Sequence, residues 1–198
     1  MRFVADSSHI SVAVLVSGSG TLLQSIIDSQ GAYTVVLVVA DAECPALERA
    51  RKAGIPTRVI TLVADREEWN SRLTEAVAAA RPDVVVSAGF MKILGAPFLA
   101  RFEGSLINTH PALLPSFPGA HAVRDALAYG VKVTGSTVHY IDEGVDTGEI
   151  IAQRAVEVRE DDSEEQLHER IKDVERALIV EVLNRASITG TGKVEFRP

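Results

Sequence analysis

The sequence predicts an α/β fold: an open, mostly parallel twisted sheet with helices on both faces. Three features predict it. Short runs rich in β-branched residues alternate with segments of helical spacing. The runs are apolar almost throughout, as strands covered on both faces must be. A serine- and glycine-rich turn follows the first run and opens a helix, the place where such sheets bind ligands.

Taken in order, residues 1–10 read as an N-terminal lead-in without predicted structure, because periodic apolar structure starts at Ser11. Residues 11–198 then read as a single domain. Runs at 12–16, 34–40, 83–87 and 106–109 are predicted strands, and 21–29, 45–53 and 66–80 are predicted helices between them. Runs at 132–140 and 150–159 read as longer strands forming an antiparallel pair. In the last helix, Ser163 and Gln166 make a capping box. Leu167, Ile171, Val174, Leu178 and Val182 then form one apolar stripe. Residues 111–120, stiffened by Pro111, Pro115 and Pro118, have neither helix nor strand pattern and follow directly on a buried strand. Loops at the carboxyl ends of strands carry function in this fold class, so this one is a candidate.

Composition narrows the partners. With 46% hydrophobic and 24% charged residues, 198 residues suffice for one sizeable core. Lys+Arg 20 against Asp+Glu 27 gives −7, which argues against a nucleic-acid backbone as partner. A single phosphate at a helix N-terminus remains compatible with that charge. Cys44 is the only cysteine, which excludes an intramolecular disulfide and a cysteine metal cage. The five histidines show no metal spacing, so no metal is expected. With no membrane-length apolar run and no signal-peptide pattern, the expectation is a soluble, cytoplasmic protein without a membrane partner.

Three constellations could carry chemistry. Ser17, Gly18, Ser19, Gly20 and Thr21 offer close backbone approach, hydroxyls and a helix N-terminus, equipment for one phosphate monoester. A dinucleotide fingerprint would need glycine where Leu23 stands. The plain alternative is a tight turn with Thr21 as N-cap. Asn108 and His110, two apart on a strand, face one pocket and could polarise a carbonyl and stabilise an oxyanion. Alone, they read equally as a buried pair satisfying loop carbonyls. Asp142 to Gly148 is an acidic turn; paired with His110, a carboxylate there would hold an imidazole for acid–base work. Cys44 reads as buried and His168 as solvated. His139 ends a strand and reads as a packed supporting group.

Together these residues resemble the glycinamide ribonucleotide formyltransferases, purine-pathway enzymes that use 10-formyltetrahydrofolate. The resemblance runs from about Ser11 to the last helix. Its most specific blocks are residues 87–94, 108–115, 117–121 and 142–148. It implies a Rossmann-like formyltransferase fold and a catalytic trio of Asn108, His110 and Asp146. It implies a phosphate site at residues 17–21 and further ribonucleotide contacts from Arg66, Met91 and Glu175. The folate site would be lined by Phe90, Met91, Lys92, Ile93 and Leu94, with Asp142, Gly144 and Val145 closing on the pterin. His121, His139 and Thr137 would support the trio. Two positions depart from the common pattern: Lys92 stands where arginine is frequent, and Leu22 where asparagine is frequent. Formyltetrahydrofolate hydrolases and methionyl-tRNA formyltransferases share the trio. The short flanks and the negative charge favour the small-amine transferase over both, and a non-catalytic phosphate-binding module is the remaining reading. Monomer and homodimer are equally compatible.

Overall fold

The computed structural model describes residues 9–191 and 193–196; most of the expected lead-in, residues 1–8, lies outside the described residues. A seven-stranded sheet is ordered β3-β2-β1-β4-β5-β6-β7. Its strands are β1 (Ile10–Val16), β2 (Tyr33–Ala40), β3 (Thr57–Val59), β4 (Val84–Ser87), β5 (Leu106–His110), β6 (Val133–Tyr140) and β7 (Ile150–Glu157). The five from β3 to β5 pair parallel, and β5–β6 and β6–β7 pair antiparallel. The lead-in ends earlier than the sequence pattern implies. Ile10 is fully buried, and its N–H donates to the Ala32 carbonyl at 3.0 Å, so the first strand begins there.

Among the described residues, six helices cover the sheet: α1 (Thr21–Asp28), α2 (Pro45–Lys52), α3 (Arg66–Ala79), α4 (Ala96–Arg101), α5 (Ala122–Tyr129) and α6 (Glu164–Arg185). Strand β1 shows why its residues must be apolar on both sides. Val12, Val14 and Val16 join a core with Leu23 and Ile26 of α1 and Leu178 and Ile179 of α6. Ala13 and Leu15 point oppositely, into a core with Trp69 and Leu73 of α3 and Phe98 of α4. The predicted capping box on α6 is present in both its hydrogen bonds. Of the predicted stripe, Leu167, Ile171, Leu178 and Val182 are buried, and Val174 is half-buried against α5 and β7 residues.

Several elements escape the sequence pattern. Strand β3 has three residues at the sheet edge, too few for a period to show. Helix α4 has six residues, opened by Gly95 and Pro97. Helix α5 buries only Ala122, Val123 and Ala126. A separate hairpin, β8 (Ala186–Ile188) with β9 (Val194–Phe196), follows α6 and sets Phe196 edge-on to Tyr140, 5.9 Å between centroids. His168, read as solvated, is half-buried, and burial lowers its pKa ahead of nearby Lys172.

Candidate active site

Parallel pairing aligns the carboxyl ends of β1, β4 and β5: Leu15 lies beside Ser87, and Ser87 beside Asn108. Antiparallel pairing then sets Asn108 opposite His139 and His110 opposite Thr137. Directly opposed residues point to one face, as do residues two apart on one strand. Four polar side chains therefore form a square on a single face of β5 and β6. The connection between β6 and β7 brings Asp146 to the same cluster.

The hydrogen bonds define the state of each group. His139 is 2% exposed, and its Nδ1 lies 2.8 Å from the Tyr140 carbonyl, which can only accept. Nδ1 thus carries the hydrogen, and burial lowers the ring's pKa against the pull of Tyr140 and Asp146. The neutral ring leaves Nε2 as an acceptor, 3.3 Å from the Asn108 amide nitrogen. One Asn108 N–H is thereby directed at His139, and the second remains for another acceptor. His110 is 4% exposed, with Nε2 2.8 Å from the Phe117 carbonyl and Nδ1 3.3 Å from Asp146 Oδ2. Both ring nitrogens therefore face oxygens, Nε2 a backbone carbonyl and Nδ1 a carboxylate. Asp146 Oδ2 also accepts from the Gly119 N–H at 2.7 Å, and Oδ1 stands 3.6 Å from His139 Nε2.

The proline-rich loop is held by groups around this square. The Thr137 hydroxyl donates to the Ala112 carbonyl at 2.7 Å and accepts from the Leu114 N–H at 3.1 Å. Gln153, which sequence reasoning did not single out, donates to the Leu114 carbonyl at 2.9 Å and to Thr137 at 3.0 Å. Asp142 shapes its own turn, accepting from the Gly144 N–H at 3.0 Å and the Thr147 hydroxyl at 2.6 Å. A Cβ on Gly144 would sit 2.0 Å from the Thr147 hydroxyl oxygen, so only glycine fits there. His121, expected to support the trio, is instead exposed at the start of α5 and forms no cap bond.

The phosphate-loop candidate has a distinct shape. The N-cap of α1 is Gly20, not Thr21, at a left-handed φ of 72°, with no side chain capping the helix. The first amides of α1 are thus free of side-chain acceptors. A Cβ on Gly20 would lie 2.6 Å from Ala46, which explains the glycine. Arg49, another residue missed in the sequence, donates from Nε to the Ser19 carbonyl at 2.8 Å and braces the loop from α2. Leu22 is buried in the core, so a polar group is absent there. Cys44 is half-buried at the N-cap of α2, rather than fully buried as read.

The segment after β4 divides its expected folate contacts. Phe90 stacks on Trp69 at 6.2 Å and Leu94 is buried, both belonging to the α3-side core. Met91 and Ile93 are 75% and 78% exposed. Lys92 pairs with Asp41 at 3.1 Å. Arg66 opens α3, donates to the Ile93 carbonyl at 2.7 Å and lies over the Trp69 ring at 4.6 Å. Glu175 stands on α6 beside Thr109, which alternation points away from Asn108 and His110. Burial raises its carboxyl pKa, offset in part by the Thr109 hydroxyl, Arg176 and the nearby His110. Among the described residues, no three His, Cys, Asp or Glu side chains are grouped to hold a metal, and no helix is long and apolar enough to cross a membrane.

A doubly wound sheet with an amide, two imidazoles and a carboxylate gathered at β5 and β6 is the arrangement that the sequence resemblance implies. The chain belongs to the formyl transferase family, whose sequence profile matches residues 10–183. It is 54% identical over 182 residues to the phosphoribosylglycinamide formyltransferase of Mycobacterium tuberculosis (strain ATCC 25618 / H37Rv), covering 89% of this chain and 85% of that one. It is 47% identical over 173 residues to the trifunctional purine biosynthetic protein adenosine-3 of Drosophila melanogaster, covering 83% of this chain and 13% of that longer protein. Its fold matches glycinamide ribonucleotide transformylase 1 from Symbiobacterium toebii with a TM-score of 0.89 at 37% identity, covering 100% and 99% of the two chains.

Proposed function

We propose that this chain transfers the formyl group of 10-formyltetrahydrofolate to the primary amine of glycinamide ribonucleotide, in purine biosynthesis. The observation that carries the reading is the convergence of Asn108, His110, His139 and Asp146 on one face of β5 and β6. The ribonucleotide phosphate is received by the uncapped first amides of α1, where the helix dipole favours an anion. With Leu22 in the core, backbone amides of Gly20 and Thr21 carry that contact. The folate ring fits the apolar side chains that the fold leaves exposed: Met91, Ile93 and, at 62%, Val145 beside Asp146.

In this reading the amine nitrogen attacks the formyl carbon and the carbonyl oxygen becomes a tetrahedral oxyanion. Asn108 donates its second N–H to that oxygen, the kind of contact worth about 3–4 kcal/mol of barrier. His110, held as a cation between Asp146 and the Phe117 carbonyl, stabilises the negative charge as a fixed electrostatic group. Asp146 Oδ1 takes a proton from the attacking nitrogen and returns it to the leaving folate nitrogen, as the bond from that nitrogen to the formyl carbon breaks.

The test is spectrophotometric, using glycinamide ribonucleotide and 10-formyl-5,8-dideazafolate, with the ribonucleotide present and absent. Deformylated folate should appear only when the amine is present. The Asn108→Ala variant should lose about 10²–10³-fold in kcat, with ribonucleotide binding retained. Release without the amine would make the protein a hydrolase. Wild-type turnover in Asn108→Ala would overturn the role given to the amide.

A further inference from the structure

One buried carboxylate has no task in the reading above, yet it stands between the two proposed substrate subsites. Asp41 follows β2 directly, and its side chain is 10% exposed. Oδ2 lies 3.1 Å from the Lys92 ammonium, and the Ser17 hydroxyl faces the same carboxylate. Ser17 Oγ in turn accepts the Met91 N–H at 2.9 Å. Ser17 is the first residue of the phosphate loop, and Met91 and Lys92 are consecutive in the folate segment. Asp41 thus reaches that segment directly through Lys92, beside Ser17, which itself holds the Met91 backbone.

The energetics say what such a group is for. Asp41 Oδ1 is buried without a hydrogen-bond donor, which costs free energy. Burial alone would raise its pKa, but Ser17 and Lys92 outweigh burial and hold the carboxyl below its ordinary range. A buried charge that is only partly satisfied is a poor source of stability, and what it supplies is geometry. Arg66 holds the same segment at the Ile93 carbonyl, and Asn70 holds it at the Gly95 N–H, both from α3. Those two anchors do not reach the phosphate loop.

Building on the function proposed above, we infer that Asp41 is a positioning residue that clamps the phosphate loop to the folate segment and fixes the spacing of the two substrates. Steady-state kinetics on Asp41→Ala, Asp41→Asn, Lys92→Gln and the Asp41→Asn/Lys92→Gln pair test it, with thermal midpoints recorded in parallel. Asp41→Ala should raise KM for both substrates about fivefold, the scale of coupling between contacting groups. Asp41→Asn keeps an oxygen for Ser17, so it should raise KM for the folate while sparing the ribonucleotide. The double variant should be no worse than the poorer single one. The clamp is refuted if Asp41→Ala leaves both KM values within about twofold of wild type, or lowers only the active fraction along with the thermal midpoint. Asn108→Ala serves as the control. If it keeps full turnover, the site reading itself has failed. If it is inactive while Asp41→Ala binds both substrates normally, only the clamp has failed.

Discussion

Replacing His139 with leucine isolates how the Asn108 amide is aimed. His139 is buried, neutral and hydrogen-bonded through Nδ1 to its own strand, so its one free acceptor is Nε2, turned to Asn108. At 3.3 Å that contact is longer than the usual 2.9–3.0 Å, and a neutral hydrogen bond is worth at most about 1 kcal/mol at such a length. Leucine removes it and leaves an amide N–H unpaired, which adds a further cost of about 1 kcal/mol. The expected loss in kcat is about 5- to 30-fold, bounded above by the full 10²–10³-fold effect of Asn108→Ala. The His139→Gln variant, which can present an acceptor, should recover part of it. Steady-state kinetics on both singles and the Asn108→Ala/His139→Leu double variant decide the matter. With the amide gone there is nothing left to aim, so the double should match Asn108→Ala alone. Strict additivity would mean that His139 acts independently, and the reasoning would fail. A pH profile gives a second reading. Protonation of Nε2 removes the acceptor, so wild-type activity should fall on the acid side, below the ordinary histidine value of 6.5. The His139→Gln variant should lack that limb.

Gly20→Ala should place strain of about 1–2 kcal/mol at a left-handed φ and drive a Cβ into Ala46, so KM for the ribonucleotide should rise at least about tenfold with KM for the folate nearly unchanged; equal effects on both would argue against a phosphate site at α1. Glu175→Gln should stabilise the fold at neutral pH. Burial raises the folded-state pKa of Glu175, so its contribution is fully present below the ordinary 4.5 and is lost as pH rises through the raised value. Thermal midpoints should therefore favour the Glu175→Gln variant at neutral pH, with the advantage shrinking on acidification. An advantage that grew toward acid would invert the assigned shift.

Much of this was legible in the sequence for a simple reason: central strands must be apolar on both faces, and the α6 cap needs particular side chains. Asn108 and His110 could be placed on one face from strand alternation alone, and opposing His139 and Thr137 follow once the antiparallel register is known. What stayed hidden is carried by backbone atoms or by distant residues. The Phe117 carbonyl and the Gly119 N–H complete the site without any side-chain signature. Arg49, Gln153 and Asp41 act across elements whose spacing a one-dimensional pattern does not give. Phe90 and Leu94 show the converse. The resemblance implies that these two line one surface with Met91 and Ile93 around Lys92, but they turn into the α3-side core and leave Met91 and Ile93 outside.

The site divides its parts between rigid and shaped backbone. Asn108, His110 and His139 stand on paired strands, where the ladder sets their spacing at no local cost. Asp146 has no strand under it and adopts a positive φ of 55°, a conformation that costs an L-residue roughly 1–2 kcal/mol. The loop absorbs that cost through the Asp142 contacts to Gly144 and Thr147, and through the Gly119 N–H that fixes the carboxylate itself. A carboxylate held in this way cannot swing toward water as a surface aspartate would. Its charge is committed to His110, whose other N–H is already taken by Phe117. In the function proposed above, that double commitment suits His110 to a fixed electrostatic role rather than to proton carriage. In the proposed mechanism the mobile proton is assigned to Oδ1 of Asp146, the oxygen of that carboxylate not engaged by Gly119 or His110.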